Sequence, residues 1–366
     1  MNRRTSGDDP ERVGILAAAY VDGLADAGVI GVIKHFPGHG GAADSHAQLP
    51  RIDTDRETAF ATSLHSFEIA IQEGVPAVMV GHLYYSDIEP TPNLPASLSP
   101  TMIGILLDDF DFSGVVMSDA FDMSAIYDNF YADYAALMFI RAGGDMLVSG
   151  PFLPWAMQLN IKNALIAAVE DGTLSESRID ESVRRILELK AAYGLLEWEP
   201  IDTESLHIDL DATQNALIEV YMDAATLLRD DNHLLPLAPD DDIVFVYPKI
   251  FPDIPATCGD LAPDAAFHGY LLHVADWEFE VVRQMGIEHE KIVIFTLDAF
   301  FTERQIELVK LLPPEKTIVV ALGLPYDLER VPEVSTAMAM YNSLPASHIA
   351  ACNVLMGQHD IIGRLP

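Results

Sequence analysis

The chain has 366 residues, half of them apolar and a fifth charged, which excludes a disordered acidic tail and suits two domains of ordinary size. Its 56 Asp and Glu against 21 Lys and Arg leave a formal net charge of -35, a surface that repels nucleic acid and anionic membrane alike. No apolar run reaches the roughly 20 residues a membrane-spanning helix needs.

In chain order, MNRRTSGDDPERV has no hydrophobic stretch behind its arginines, so it does not read as a secretory signal; the chain is cytoplasmic as written, but a region ahead of it could carry a signal, and the compartment stays open. Residues 10–28 space their apolar positions like a helix and close on Gly28. VIGVIKHF reads as a buried strand, a helix follows from about Thr54 to Glu73, and VPAVMVGHLYY is a second strand. A helix near Thr101 to Asp109 precedes the strand FSGVVMSDA, a helix from Asp133 to Ala142 precedes GGDMLVSG, and helices from Pro154 to Ala192 close the series.

Strand then helix, repeated, predicts parallel strands joined by crossovers. Polar groups follow each apolar run: Lys34 and His35, His82, Ser118 and Asp119, Ser149. A (β/α)8 barrel keeps its chemistry at that place, the carboxyl ends of its strands, although only four of eight strands are found. The fold class expected is therefore α/β: a partial TIM-type barrel over residues 1–196, a linker at 197–212, and a smaller three-layer α/β/α sandwich over 213–366. That second domain is read from the β-rich runs DIVFVYP, KIVIFTL and TIVVALGLP and the helical TERQIELVKLL. Cys258 and Cys352 lie far apart and are expected to be reduced core residues.

The stretch KHFPGHGGAADSH, Lys34 to His46, concentrates the chemistry. His35 and His39 have the spacing of a helical metal pair, but Pro37 and Gly38 between them forbid a regular helix, so no metal site is expected. The lysine precedes the glycines and no GK[ST] follows, which removes the phosphate-loop reading. A structural loop, with glycines turning the backbone and histidines satisfying carbonyls, stays open on the residues alone.

KHFPGHG followed by DSH and LPRID resembles the signature of glycoside hydrolase family 3, in its β-N-acetylglucosaminidase branch. RTSGDDPE upstream, GVVMSDAFDMSAI, AGGDMLVSG, AATLLRDDNHLLPL and the closing NVLMGQHDIIGRLP are similar to further elements of that family, so the resemblance runs over nearly the whole chain. It implies Asp119 as nucleophile, His46 as general acid/base, and Asp44 as the aspartate partnering that histidine. It also implies that Arg4, Lys34 and His35 grip sugar hydroxyls. His82 at a strand end reads as lining the sugar pocket, with a satisfied core histidine as the alternative. Asp122 and Asp145 read as capping or turn residues. Ala120 replaces the second aspartate of the branch's S-D-D, which leaves the attacking carboxylate in place.

The chemistry suits these roles. A retaining glycosidase needs a carboxylate that attacks the anomeric carbon and a second group that protonates the leaving oxygen and then activates water. An imidazole can do the second task, and a neighbouring aspartate can hold its tautomer. The implied activity is a hydrolase, an exo-β-N-acetylglucosaminidase acting on amino-sugar glycosides such as chitin or peptidoglycan fragments, without metal or organic cofactor. A β-glucosidase or phosphorylase of the same family, and a catalytically silent sugar-binding or assembly module, are the alternatives. Because the family's R-S-F-G element falls here at Arg4, either the reading starts at an internal Met of a longer protein, or the first half of the barrel comes from a homodimer partner or another chain, with the symmetric dimer preferred.

Overall fold

The computed structural model describes residues 7–40, 48–197, 199 and 209–365. The chain divides into two compact units, Arg3–Ile201 and Asp202–Leu365.

In the N-terminal unit the first helix starts for local reasons. Asp9 accepts hydrogen bonds from the Glu11 and Arg12 N–H groups, and Pro10 sits in the first turn, where a missing N–H costs nothing. That helix is α1 (Pro10–Asp26). There follow β1 (Ile33–Phe36), β2 (Arg51–Ile52), α2 (Arg56–Ala61), α3 (Ser63–Gln72), β3 (Ala77–Val80), β4 (Tyr84–Tyr85) and α4 (Pro100–Gly104). The chain continues through β5 (Val115–Ala120), α5 (Ser124–Tyr127), α6 (Ala132–Ala142), β6 (Met146–Val148), α7 (Trp155–Glu170) and α8 (Glu176–Ala192).

The single helix expected from Thr54 to Glu73 is broken into α2 and α3 at Thr62, whose hydroxyl donates to the Thr58 carbonyl at 2.7 Å and competes with the helical ladder. The helix expected to Asp109 begins as α4 and winds through Ile105–Asp109 as a π-helical turn.

β1, β3, β5 and β6 form one parallel sheet in that order. Val78, Val80 and Val116 from its middle strands are buried with Phe36 of β1 against Leu64 and Phe67 of α3, Met102 and Ile103 of α4, and Phe139 of α6. Each such side chain contributes on the order of 1.5–3 kcal/mol through the apolar area it removes from water. Among the described residues β1 and β6 each pair with one neighbour, and all three residues of β6 are half-buried.

At the amino end of β6, Asp145 is anything but a turn residue. Its side chain is fully buried, accepts from the Val116 N–H at 3.0 Å and the Ser182 hydroxyl at 2.7 Å, and pairs with Arg178 at 3.0 Å and Arg185 at 3.3 Å. Residues 178, 182 and 185 share one face of α8, so one carboxylate fastens that helix to the sheet. Burying it is tolerable because each oxygen finds cationic or N–H partners.

The C-terminal unit contains α9 (Leu210–Ala224), β7 (Thr226–Asp230), β8 (Ile243–Pro248), α10 (Ile254–Gly259), β9 (Ala266–Tyr270), α11 (Asp276–Glu288), β10 (Lys291–Thr296), α12 (Glu303–Lys310), β11 (Thr317–Ala321), β12 (Thr336–Ala339) and α13 (Pro345–Leu355). The sheet order is β7-β12-β11-β10-β8-β9, parallel except for β7 against β12. Strand residues alternate between two cores: Phe245, Val293, Phe295 and Val320 meet α10 and α13 on one face, while Val244, Val246, Ile292 and Ile294 meet α11 and α12 on the other.

The expectation of two reduced cysteines is corrected here. Cys258 of α10 and Cys352 of α13 form a disulfide, with Cα atoms 5.1 Å apart and both residues buried. The 94 positions between them hid the pairing in the sequence. The two helices lie side by side on one face of the sheet, and His348, one turn before Cys352, bonds Asp253 at 2.7 Å beside α10.

The charge of -35 sets an expectation for stability. Like charges crowd together on folding, and salt shortens their reach from roughly 10 Å at 0.1 M to about 3 Å at 1 M. The unfolding temperature, followed by circular dichroism, is therefore expected to rise steadily as KCl is raised from about 0.1 M to 2 M; an unchanged midpoint contradicts this account of the surface.

Candidate active site

The carboxyl ends of β1, β3, β5 and β6 come out along one edge of the sheet. β1 is anchored by Phe36, whose fully buried ring stands edge-on to Phe67 with centroids 5.3 Å apart. Lys34 is exposed and His35 half-buried. The β1–β3 ladder is irregular between Lys34 and Phe36, and the Lys34–His35 and Phe36–Pro37 peptide bonds are cis.

The turn beyond β1 is held by a hydroxyl. Tyr85 of β4 donates to the Gly38 carbonyl at 2.8 Å, and its oxygen lies 3.2 Å from the Ser63 hydroxyl. Burial pushes the Tyr85 phenol up from its ordinary pKa, which keeps it a donor. Gly38 has φ +119°, and a Cβ there would lie 2.5 Å from Ser63 Cβ. His39 is buried, its ring centroid 6.0 Å from that of His35.

β5 carries Asp119 into the same space. The β5–β6 ladder shifts register between Met117 and Ala120, and Ser118 fills the gap by accepting the Val148 N–H on its hydroxyl at 3.0 Å. Asp119 Oδ1 accepts from the Ala120 N–H at 2.8 Å, while Oδ2 lies 3.6 Å from His35 Nε2. The His35 and Asp119 side chains keep 11% and 15% exposure, so the pair is recessed yet open to a ligand. Strand β3 lies between their strands, and the two side chains meet beyond its end.

His82, which follows β3, is fully buried with both ring nitrogens engaged: Nδ1 lies 2.7 Å from the Ser97 hydroxyl and Nε2 3.0 Å from the Ala120 carbonyl. Burial lowers its pKa, partly opposed by the charge of Asp119. Asp122 holds the neighbouring loop by accepting the Phe152 N–H at 2.7 Å. Of the residues singled out from sequence, the structure brings Lys34, His35, His82 and Asp119 to one edge, while Arg4, Asp44 and His46 lie outside the described residues. Sequence reasoning missed Tyr85 and Ser97. Their partners lie 47 and 15 positions away, and no local spacing announces either bond.

Residues 1–189 match the family model described as the glycosyl hydrolase family 3 N terminal domain. The chain belongs to glycosyl hydrolase family 3. A beta-hexosaminidase, LpqI, of Mycobacterium tuberculosis is 34% identical over 200 residues, 51% of this chain and 48% of that protein. A beta-N-acetylglucosaminidase/beta-glucosidase of Cellulomonas fimi is 24% identical over 408 residues, covering 100% of this chain and 70% of that protein. Among solved structures, a family 3 beta-N-acetylglucosaminidase from Paenibacillus sp. is 29% identical with a TM-score of 0.87, covering 100% of this chain and 72% of that one. The chain spans about half the length of the first of these relatives. Among the described residues no helix is long and apolar enough to cross a membrane.

The turn geometry makes a specific demand on one residue. Gly38→Ala is expected to destabilise the chain by about 1–3 kcal/mol, from the positive φ and the collision with Ser63. Gly23→Ala, within α1 and facing open space, is expected to be neutral or slightly stabilising. Urea unfolding of both variants checks the contrast.

Proposed function

We propose that the protein is a retaining exo-β-N-acetylglucosaminidase whose N-terminal unit supplies the C-terminal half of a (β/α)8 barrel. The observation that carries this reading is the approach of His35 Nε2 to Asp119 Oδ2, 3.6 Å apart at the carboxyl edge of a parallel sheet. A carboxylate there, with one oxygen held by a backbone N–H and the other facing a recess, suits nucleophilic attack. Family membership and relatives named beta-hexosaminidases favour a terminal β-linked N-acetylglucosamine as the substrate.

In the first step an Asp119 oxygen bonds to the anomeric carbon as the glycosidic bond breaks, and His46 gives its proton to the leaving oxygen. In the second, His46 takes a proton from water, whose oxygen attacks the anomeric carbon and releases Asp119. Asp44 holds the His46 tautomer and steadies the imidazolium. Lys34, His35 and Arg4 bind the sugar hydroxyls. Phosphate could enter in place of water, since an imidazole repels an incoming anion less than a carboxylate does.

Among the described residues β1 and β6 each pair on one side alone, which favours a neighbour that closes the barrel, in the simplest case another copy related by a two-fold axis. Beside β6 a cleft of about 700 Å³, lined by Leu147, Ile161, Leu165, Val169 and Ile179, offers apolar surface for such a neighbour. The same one-sided pairing favours the second reading, a silent sugar-binding module.

Release of nitrophenol from the β-N-acetylglucosaminide by the purified chain tests the activity. Asp119→Ala is expected to lower kcat by about 10³-fold or more, and His46→Ala by roughly 10²–10⁴-fold. Activity surviving both substitutions overturns the mechanism, and a silent wild type at every concentration favours the binding module. Association is checked separately by sedimentation. A dimer favoured by added KCl is expected, because salt screens the repulsion between two acidic copies, and a monomer throughout rules out self-completion.

A further inference from the structure

His82 lies at the sugar-facing edge of the sheet, yet no part of it is exposed. Its hydrogen bonds say what it does there. A carbonyl oxygen can only accept, so the 3.0 Å contact with the Ala120 carbonyl places a proton on Nε2. In the neutral ring Nδ1 is then an acceptor, and the Ser97 hydroxyl at 2.7 Å donates to it. Ser97 is itself fully buried, in a short 3-10 turn (Ala96–Leu98) tied down by the Ala96 N–H on the Leu83 carbonyl at 2.7 Å. Phe121 packs edge-on against the imidazole, with centroids 5.9 Å apart.

The residue so gripped is the one that follows Asp119. Ala120 gives its N–H to Asp119 Oδ1 and its carbonyl to His82, and the same carbonyl takes the Met123 N–H at 3.2 Å across the next turn. This is also where the β5–β6 ladder loses its regular register, so the sheet alone does not fix the backbone here. We propose that His82 is a positioning residue for Asp119: buried, neutral and carrying its proton on Nε2, it clamps Ala120 so that the Asp119 carboxylate is presented towards His35. This rests on the reading of Asp119 as the nucleophile. It assigns His82 no contact with the sugar.

Two further observations agree. The charged groups acting on His82, Asp119 and Asp122, both favour its protonated form, yet burial outweighs them and the pKa is lowered. A second proton on Nδ1 would also oppose the hydroxyl hydrogen of Ser97, so the neutral ring is the form that fits both partners.

The test has one arm that needs no activity. In spectra of the full chain labelled with 15N-histidine, one imidazole, identified by its loss in His82→Gln, is expected to show the neutral Nε2–H tautomer unchanged between about pH 5.5 and 8, across the range where a free histidine titrates. Ordinary titration, or the Nδ1–H tautomer, overturns the proposal. The second arm is kinetic. His82→Leu removes both hydrogen bonds and is expected to lower kcat about 100-fold with KM changed by less than about twofold, as a displaced nucleophile does. His82→Gln, whose amide can donate to Ala120 and accept from Ser97, is expected to recover at least about tenfold of that loss.

A rise in KM at unchanged kcat would mark a direct sugar contact and overturn the assignment. If His82→Leu does not fold, Ser97→Ala replaces it, with the same direction expected in kcat and with partial loss of the single tautomer. A silent wild type sinks the reading of Asp119 as nucleophile, while the histidine spectra still decide the clamp.

Discussion

Parallel pairing sends every strand's carboxyl end to the same edge of the sheet, and the candidate site depends on that constraint. His35 and Asp119 come from strands separated by β3, so neither could reach the other by local sequence design. They meet where β3 has stopped at Val80 and the residue after it, Gly81, has no side chain. A Cβ on Gly81 would lie 3.0 Å from His35 Cβ, tighter than most packed side chains tolerate. The next residue turns inward as His82, so the middle strand yields the surface to its neighbours and supports one of them from below.

The two ends of these strands do different work. At the carboxyl end, polar groups are recessed, partly exposed and incompletely enclosed by the ladder. At the opposite end Asp145 is sealed among Arg178, Ser182 and Arg185 and holds α8 to the sheet. Chemistry and anchorage are thus separated along the strand axis, as barrel architectures generally arrange them. The carboxylate that stabilises and the carboxylate proposed to react never compete for the same cations.

Much of this was legible in the amino-acid order. The strand–helix alternation, the polar residues after each apolar run, and the helix closing near Gly28 follow from period and punctuation, and they locate Lys34, His35 and Asp119 on one edge. Long-range pairings were not legible. Asp145 looked like a turn residue because its arginines lie 33 and 40 positions away. Tyr85 carried no mark of its hold on Gly38, and the break at Thr62 depends on one hydroxyl choosing a backbone carbonyl over solvent. The cysteines misled for the same reason: spacing says nothing about which helices a sheet will set side by side. The motif DSH could be read only through its family likeness.

The disulfide between Cys258 and Cys352 also shapes how the C-terminal unit would come apart. It closes a covalent ring that contains β9, α11, β10, α12, β11 and β12, four of the six strands of the sheet. A protease that cuts once anywhere inside that ring produces no free fragment. Both halves stay joined through the sulfurs, each still lying on its part of the sheet, so a nicked molecule keeps its pieces at hand for re-closure.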